Sequence, residues 1–174
     1  MSDKDHIAAH LRKYAVRVDS LMLDPTNART HPEKQLRMLA QHLDNVGQVS
    51  PILFQTIKGE QIVRVGNARL LSARRLGWKY IAAISPKLTK AEWNLHALAD
   101  NKLPERASWD ERRYRTQLRD IINKAPLDAS DFGYSNEELA EILDATVEPE
   151  PKKTKKAKRA LECTCPHCDH KWSE

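Results

Sequence analysis

The chain has 174 residues, is 40% hydrophobic and 30% charged, and carries a net charge of +5. That length suits one compact domain with appendages. No apolar run is long enough to span a bilayer, and the opening "MSDKDHIAAHLRKYA" lacks the apolar core of a secretory leader, so a cytoplasmic protein with no membrane partner is expected.

Residues 1–14 form an N-terminal arm, a short helix or a loose segment, with Ile7, Leu11 and Tyr14 at helical spacing. "AVRVDSLMLD" reads as a strand that leads into the turn "DPTNARTHPE". There Asp24-Pro25 and His31-Pro32 bias the residue before each proline away from helix. In "EKQLRMLAQHLDNVG", Leu36, Leu39, Ala40 and Leu43 recur at i, i+3, i+4, i+7, and Gly47 stands where a helix C-cap belongs. "VSPILFQTI" and "EQIVRV" are β-branched runs flanking Lys58-Gly59, the pattern of two strands joined by a tight turn. A helix from Gly66 to about Leu76 follows, then the strand "YIAAIS". "TKAEWNLHALADNKL" is a helix with Thr89 and Glu92 at capping-box spacing, and "SWDERRYRTQLRDIINK" repeats the device with Ser108 and Glu111. "SNEELAEILDA" is a last short helix.

Composition changes at Val147. "VEPEPKKTKKAKRA" holds six basic and two acidic residues and no apolar periodicity. It is a linker, either a solvated tether or a segment that lies along a phosphate backbone through Lys152, Lys153, Lys155 and Lys156. The expected organisation is an arm (1–14), a main domain (15–107), a helical extension (108–146), the basic linker (147–160) and a Cys/His tail (161–174).

The turn "VGNAR" joins a strand to a helix. The first N–H groups of a helix lack intrahelical partners and sit at the positive end of its dipole, which favours an anion. Gly66 allows close backbone approach, and Arg69 falls in the first turn, where a guanidinium can clamp a phosphate. A glycine needed only for the turn is the plainer reading of that stretch alone. Arg74 and Arg75 are surface charges or contacts to a larger polyanion such as DNA.

Read in order, "DPTNARTHPEKQLRMLAQHL", "GQVSPIL", "VGNARLLSARRLGW" and "ALADNKLPERASWD" resemble the ParB/sulfiredoxin superfamily. The nearest likeness is to the ParB-like nuclease domains of phages and prophages, often fused to or encoded near DNA methyltransferases. The resemblance spans about 15–145. It implies an α/β (α+β) fold, a small mixed sheet surrounded by helices. It implies that Gly66, Asn67 and Arg69, with Asn27 and Arg29, bind the phosphates of a nucleoside triphosphate. It implies that Asp100 and Asn101 hold Mg²⁺, and that Gly47 and Pro51 shape a neighbouring loop. A hard cation takes oxygen ligands, which this carboxylate–amide pair offers.

The sequence also departs from the family. Asn67 and Ala68 stand where ParB proteins have a glutamate and a second arginine. The reactive cysteine of sulfiredoxins is missing from the turn, since the three cysteines are Cys163, Cys165 and Cys168. Asp24 is the only candidate in the first turn for the carboxylate that family kinases and hydrolases place near the transferred phosphate. Binding is therefore expected ahead of turnover. The alternatives are a nuclease or nucleotide-dependent kinase or hydrolase of the same superfamily, and a non-catalytic adaptor for a DNA methyltransferase or terminase.

The tail "CTCPHCDHKW" resembles half of a zinc ribbon. Cys163, Cys165, Cys168 and His170 are the candidate Zn²⁺ ligands, with completion by a second chain making zinc a dimer staple. The other reading is a tail of reactive thiols. The expected function is a DNA-associated, nucleotide-binding protein of phage or prophage type, acting in DNA modification, packaging or regulation.

Overall fold

The computed structural model describes residues 3–124, 129, 133–144, 162–164 and 171–173. A 3-10 turn over Ala9–Tyr14 opens the chain, followed by β1 (Ala15–Arg17) and β2 (Leu21–Leu23). Next come α1 (Glu33–Val46), β3 (Ile52–Ile57), β4 (Glu60–Val65), α2 (Asn67–Arg75) and β5 (Tyr80–Ile84). Helices α3 (Lys90–Lys102), α4 (Glu111–Lys124) and α5 (Asn136–Asp144) follow, then the short pair β6 (Glu162–Thr164) and β7 (Lys171–Ser173).

The stretch "AVRVDSLMLD" is two strands instead of one. A 3-10 turn at Val18–Ser20 divides it. β1 pairs antiparallel with β5, and β2 pairs parallel with β4, at opposite edges of a five-stranded sheet of order β1-β5-β3-β4-β2. β3 and β4 form the expected hairpin. Lys58 (φ 51°) and Gly59 (φ 88°) both have positive φ, the backbone that matches strand twist in a two-residue loop. β3 also runs parallel to β5, so the sheet is mixed.

Alternation along the strands divides the molecule into layers. Ile52, Phe54, Val63, Ile81 and Ala83 pack with Leu70 and Ala73 of α2 in the main core. α1 lies beside α2, and the Ser72 hydroxyl donates to the Leu36 carbonyl at 3.3 Å. The opposite face carries the arm and α3. Ile7, Leu11 and Ala82 form a second cluster there. The arm is thus an ordered part of the domain. His6 stacks on Trp78 with ring centres 3.9 Å apart, and its ring nitrogen Nε2 lies 2.9 Å from the Tyr80 carbonyl. Gly47 ends α1 at φ 76°, and a Cβ there would lie 2.6 Å from the His6 carbonyl oxygen. The arm therefore presses directly on the loop between α1 and β3.

Thr89 and Glu92 form the expected capping box at α3. The Thr89 backbone N–H and hydroxyl donate to the Glu92 carboxylate at 2.7 and 2.8 Å. Those bonds hold the carboxyl below the usual glutamate range. A lowered folded-state value stabilises the fold above the unfolded carboxyl's titration and loses that gain as pH falls through the folded value. Glu92→Gln is therefore expected to flatten the acid limb of a stability–pH curve while changing little at neutral pH. Thermal melts at a series of acidic pH values check it, and an unchanged acid limb would refute it.

The start of α4 differs from expectation. Asp110, not Ser108, is the cap: its carboxylate accepts from the Arg113 N–H at 3.1 Å. Asp is as good an acceptor as Ser at that position, and it lies directly before the first helical residue. α5 has a capping box of its own. The Ser135 N–H donates to Glu138 at 2.7 Å and the Glu138 N–H to the Ser135 hydroxyl at 3.2 Å. The tail places β6 antiparallel to β7, with Cys163 opposite Trp172. No helix among the described residues is long and apolar enough to cross a membrane.

Candidate functional site

Gly66 connects β4 to α2 in the left-handed conformation (φ 95°, ψ 29°). It lies against the sheet so closely that a Cβ would stand 2.6 Å from Ile52 Cγ2. No side chain caps α2. Its first N–H groups therefore open onto a cleft of ≈ 170 Å³. That cleft brings together Asn27, Arg29, Gly66, Asn67, Arg69, Asp100 and Asn101, joined by His31, Gln35 and Leu39 from α1 and the loop before it. The phosphate and metal residues expected from sequence thus meet in one place.

Their side chains play different parts. Arg69 Nη1 donates to the Pro51 carbonyl at 2.8 Å and more weakly to Ser50 at 3.4 Å. The loop containing Pro51 is held in turn by buried Gln48, whose amide bonds Ala82 N–H, Ala82 carbonyl and Ser50 carbonyl at 2.6, 2.8 and 3.1 Å. Burial lowers the Arg69 guanidinium pKa, and the charge of Asp100 acts against that. A cation in such surroundings gains from a further anion.

Arg29 Nη1 donates to Asn101 Oδ1 at 3.3 Å, and Asn101 Nδ2 donates to the Ala97 carbonyl at 2.9 Å. Asn27 folds the first turn by bonding the backbone of Arg29. Among the described residues no three His, Cys, Asp or Glu side chains converge as a metal set. The Asp100 carboxylate and the Asn101 amide oxygen still line the cleft and are the right donors for a hard cation completed by phosphate oxygens.

Asn67 is turned inward. It is 6% exposed. Its Oδ1 accepts from the Asp24 N–H at 3.1 Å and its Nδ2 donates to the Val63 carbonyl at 3.1 Å. It ties the end of β2 to β4 and leaves only its backbone for a ligand. Asp24, the expected carboxylate of the first turn, is also committed. Oδ1 accepts from the Thr26 N–H and hydroxyl at 2.8 and 2.6 Å, and Oδ2 pairs with Arg64 Nη1 at 2.9 Å.

Arg64 is the site residue that the sequence reading missed. Val63 packs in the main core and successive strand residues point to opposite faces, so Arg64 points to the other face of the sheet. There its Nη2 donates to Asn94 Oδ1 of α3 at 2.6 Å. The one signal was a single charge inside the apolar run "IVRV". The Arg64 and Asp24 side chains are 9% and 4% exposed. Arg64 also lines a second cleft of ≈ 670 Å³ between the sheet and α3, which shares Asn27 and Asn101 with the first.

The arginines assigned to DNA have partners within the fold. Arg74 Nη2 donates to the Leu21 carbonyl at 2.7 Å, and Arg75 is paired with Glu33 of α1. Lys152, Lys153, Lys155 and Lys156 lie outside the described residues, as do Cys165, Cys168 and His170 of the expected zinc set; Cys163 is in β6.

No protein-family model matches the chain, and no curated protein does. Among solved structures it is similar to the C-terminally truncated chromosome-partitioning protein ParB from Caulobacter crescentus complexed with CTP-gamma-S. Identity is 20%, over 74% of this chain and 75% of that one, with a TM-score of 0.63. Also similar are the same truncated protein complexed to the centromeric parS site (19% identity, 78% and 73% coverage, TM-score 0.44) and sulfiredoxin from Arabidopsis thaliana (20% identity, 48% and 93% coverage, TM-score 0.40). A likeness at this identity speaks to the fold: the chain has a mixed α/β fold of the ParB kind.

Proposed function

We propose that the chain binds a nucleotide, with its phosphates on the uncapped N-terminus of α2 and beside Arg69. Asp100 and Asn101 would hold Mg²⁺ against those phosphates. The observation that carries this reading is the convergence of Gly66, Arg69, Arg29, Asp100 and Asn101 on one small polar cleft from three separate stretches of chain. The ParB protein of the same fold was solved with CTP-gamma-S, which supports a nucleoside triphosphate as ligand. Binding without turnover is favoured because Asp24 is spent on Arg64 and Thr26, so the first turn offers no free carboxylate beside the phosphates.

That protein is described as chromosome-partitioning, which supports a DNA-associated role. The basic run 152–159 is the assigned DNA contact, since Arg74 and Arg75 are occupied. Phage or prophage DNA modification or packaging, a methyltransferase or terminase partner, and a homodimer complete the proposal on motif resemblance alone.

A thermal-shift panel tests it. Nucleoside triphosphates are expected to raise the melting temperature, more so with Mg²⁺. Arg69→Ala is expected to weaken binding at least about tenfold, the effect of losing a charge-assisted hydrogen bond. No shift with any triphosphate would overturn the reading.

A further inference from the structure

The phosphate cleft rests on a stretch of chain that the N-terminal arm itself holds. The Pro51 and Ser50 carbonyls accept from Arg69 Nη1 at 2.8 and 3.4 Å. Ile52, the next residue, is the one that a Cβ at Gly66 would meet. The guanidinium and the glycine of the turn are therefore both seated on residues 50–52.

Gln48 fixes that stretch at its root. It is 1% exposed. A side-chain amide offers an acceptor oxygen and two N–H donors, and here all are used. Oε1 accepts from the Ala82 N–H at 2.6 Å, and Nε2 donates to the Ala82 and Ser50 carbonyls at 2.8 and 3.1 Å. The Ser50 carbonyl thus accepts from Gln48 and from Arg69. The backbone of Gln48 belongs to the arm. Its N–H donates to the His6 carbonyl at 2.7 Å, and its carbonyl accepts from the Ala8 N–H at 3.0 Å. Ile7, wholly buried between them in sequence, anchors the arm against Ala82, the residue whose backbone Gln48 bonds. Arm, Gln48, Ser50 and Arg69 form one continuous chain of contacts that ends in the phosphate cleft.

We propose that Gln48 is a positioning residue for Arg69, and that docking of the arm and binding of phosphates are coupled through it. The inference rests on the phosphate reading above and adds a control point to it. Whatever draws the arm off Gln48 lowers affinity for the phosphates, and by linkage bound phosphates hold the arm in place. Gln48 acts at one remove, by keeping the carbonyls that orient the guanidinium where they are.

The experiment is a double-mutant cycle on the full chain, read by calorimetric titration with inorganic tripolyphosphate and Mg²⁺. Gln48→Met keeps the length of the side chain and removes its three bonds. It is expected to weaken tripolyphosphate about tenfold, the effect of one charge-assisted hydrogen bond misplaced. Ile7→Ala leaves every partner of Gln48 present and thins only the anchor of the arm. It is expected to weaken binding at least about fivefold, and it carries the test where Gln48→Met does not fold. In an Arg69→Ala background each loss should shrink to within about twofold, because the group being positioned is gone. A general loosening of the fold would cost the same in both backgrounds. Unchanged affinity in either folded variant, or equal losses with and without Arg69, would overturn the positioning role and leave the phosphate cradle standing. Failure of the unaltered protein to bind tripolyphosphate or any nucleoside triphosphate would overturn the cradle, and the coupling with it.

Discussion

Gly66→Ala is expected to destabilise the protein by about 3 kcal/mol and to lower its melting temperature by about 10 °C. Two causes add. The left-handed conformation at φ 95° costs an L-residue about 1–2 kcal/mol. The new methyl carbon would also stand 2.6 Å from Ile52 Cγ2 and 3.1 Å from Ile52 Cβ. Ile52 is wholly buried in the main core, and its branch begins at Cβ, so it cannot swing aside as a long side chain would. Gly59 supplies the comparison. It has φ 88° and nothing within 4 Å of a built Cβ, so Gly59→Ala should cost only the strain, about 1 kcal/mol. Denaturant melts of both variants separate strain from clash, and equal losses would show that the contact with Ile52 is unimportant. The same change at Gly66 withdraws α2 from the sheet, so nucleotide affinity should fall with stability; at Gly59, on a hairpin turn away from the cleft, it should not.

The contrast between these glycines also shows what a sequence discloses. Lys58-Gly59 identified the β3–β4 hairpin because a two-residue turn is a local demand, met by local residues. The Thr89–Glu92 capping box was legible for the same reason. Elements set by distant partners were not. "AVRVDSLMLD" is apolar at both ends, and nothing in it says that its halves bond to β5 and β4 at opposite edges of the sheet. At the site, the order of the motifs predicted that Gly66, Arg69, Asp100 and Asn101 would meet, and they do. What each side chain does there was hidden. Asn67 stands in the phosphate turn yet points into the core, because its amide is needed by Asp24 and Val63. Arg74 and Arg75 look like free surface charge, yet one holds β2 and the other α1. A helix wheel places a side chain on a face but does not name the carbonyl or carboxylate waiting there.

Arg64 and Asp24 give the second large effect. Each single replacement, Arg64→Met or Asp24→Asn, is expected to cost about 3–5 kcal/mol, because it leaves the partner charge in a nearly dry site. The burial supports a figure of that size: the two side chains are 9% and 4% exposed and the pair measures 2.9 Å. The losses differ in origin. Arg64→Met also releases Asn94 of α3, so α3 should loosen, and hydrogen exchange there should rise. Asp24→Asn keeps an oxygen to accept from Thr26 N–H and hydroxyl, so the first turn should survive. The double variant buries no net charge and should lie within about 2 kcal/mol of the unaltered protein. The coupling would then be at least about 4 kcal/mol, above the range of about 0.5–3 kcal/mol usual for residues in contact. Single losses that simply add would mean that the pair does not act as a unit. Near-cancellation would mean instead that the ion pair is dispensable for folding.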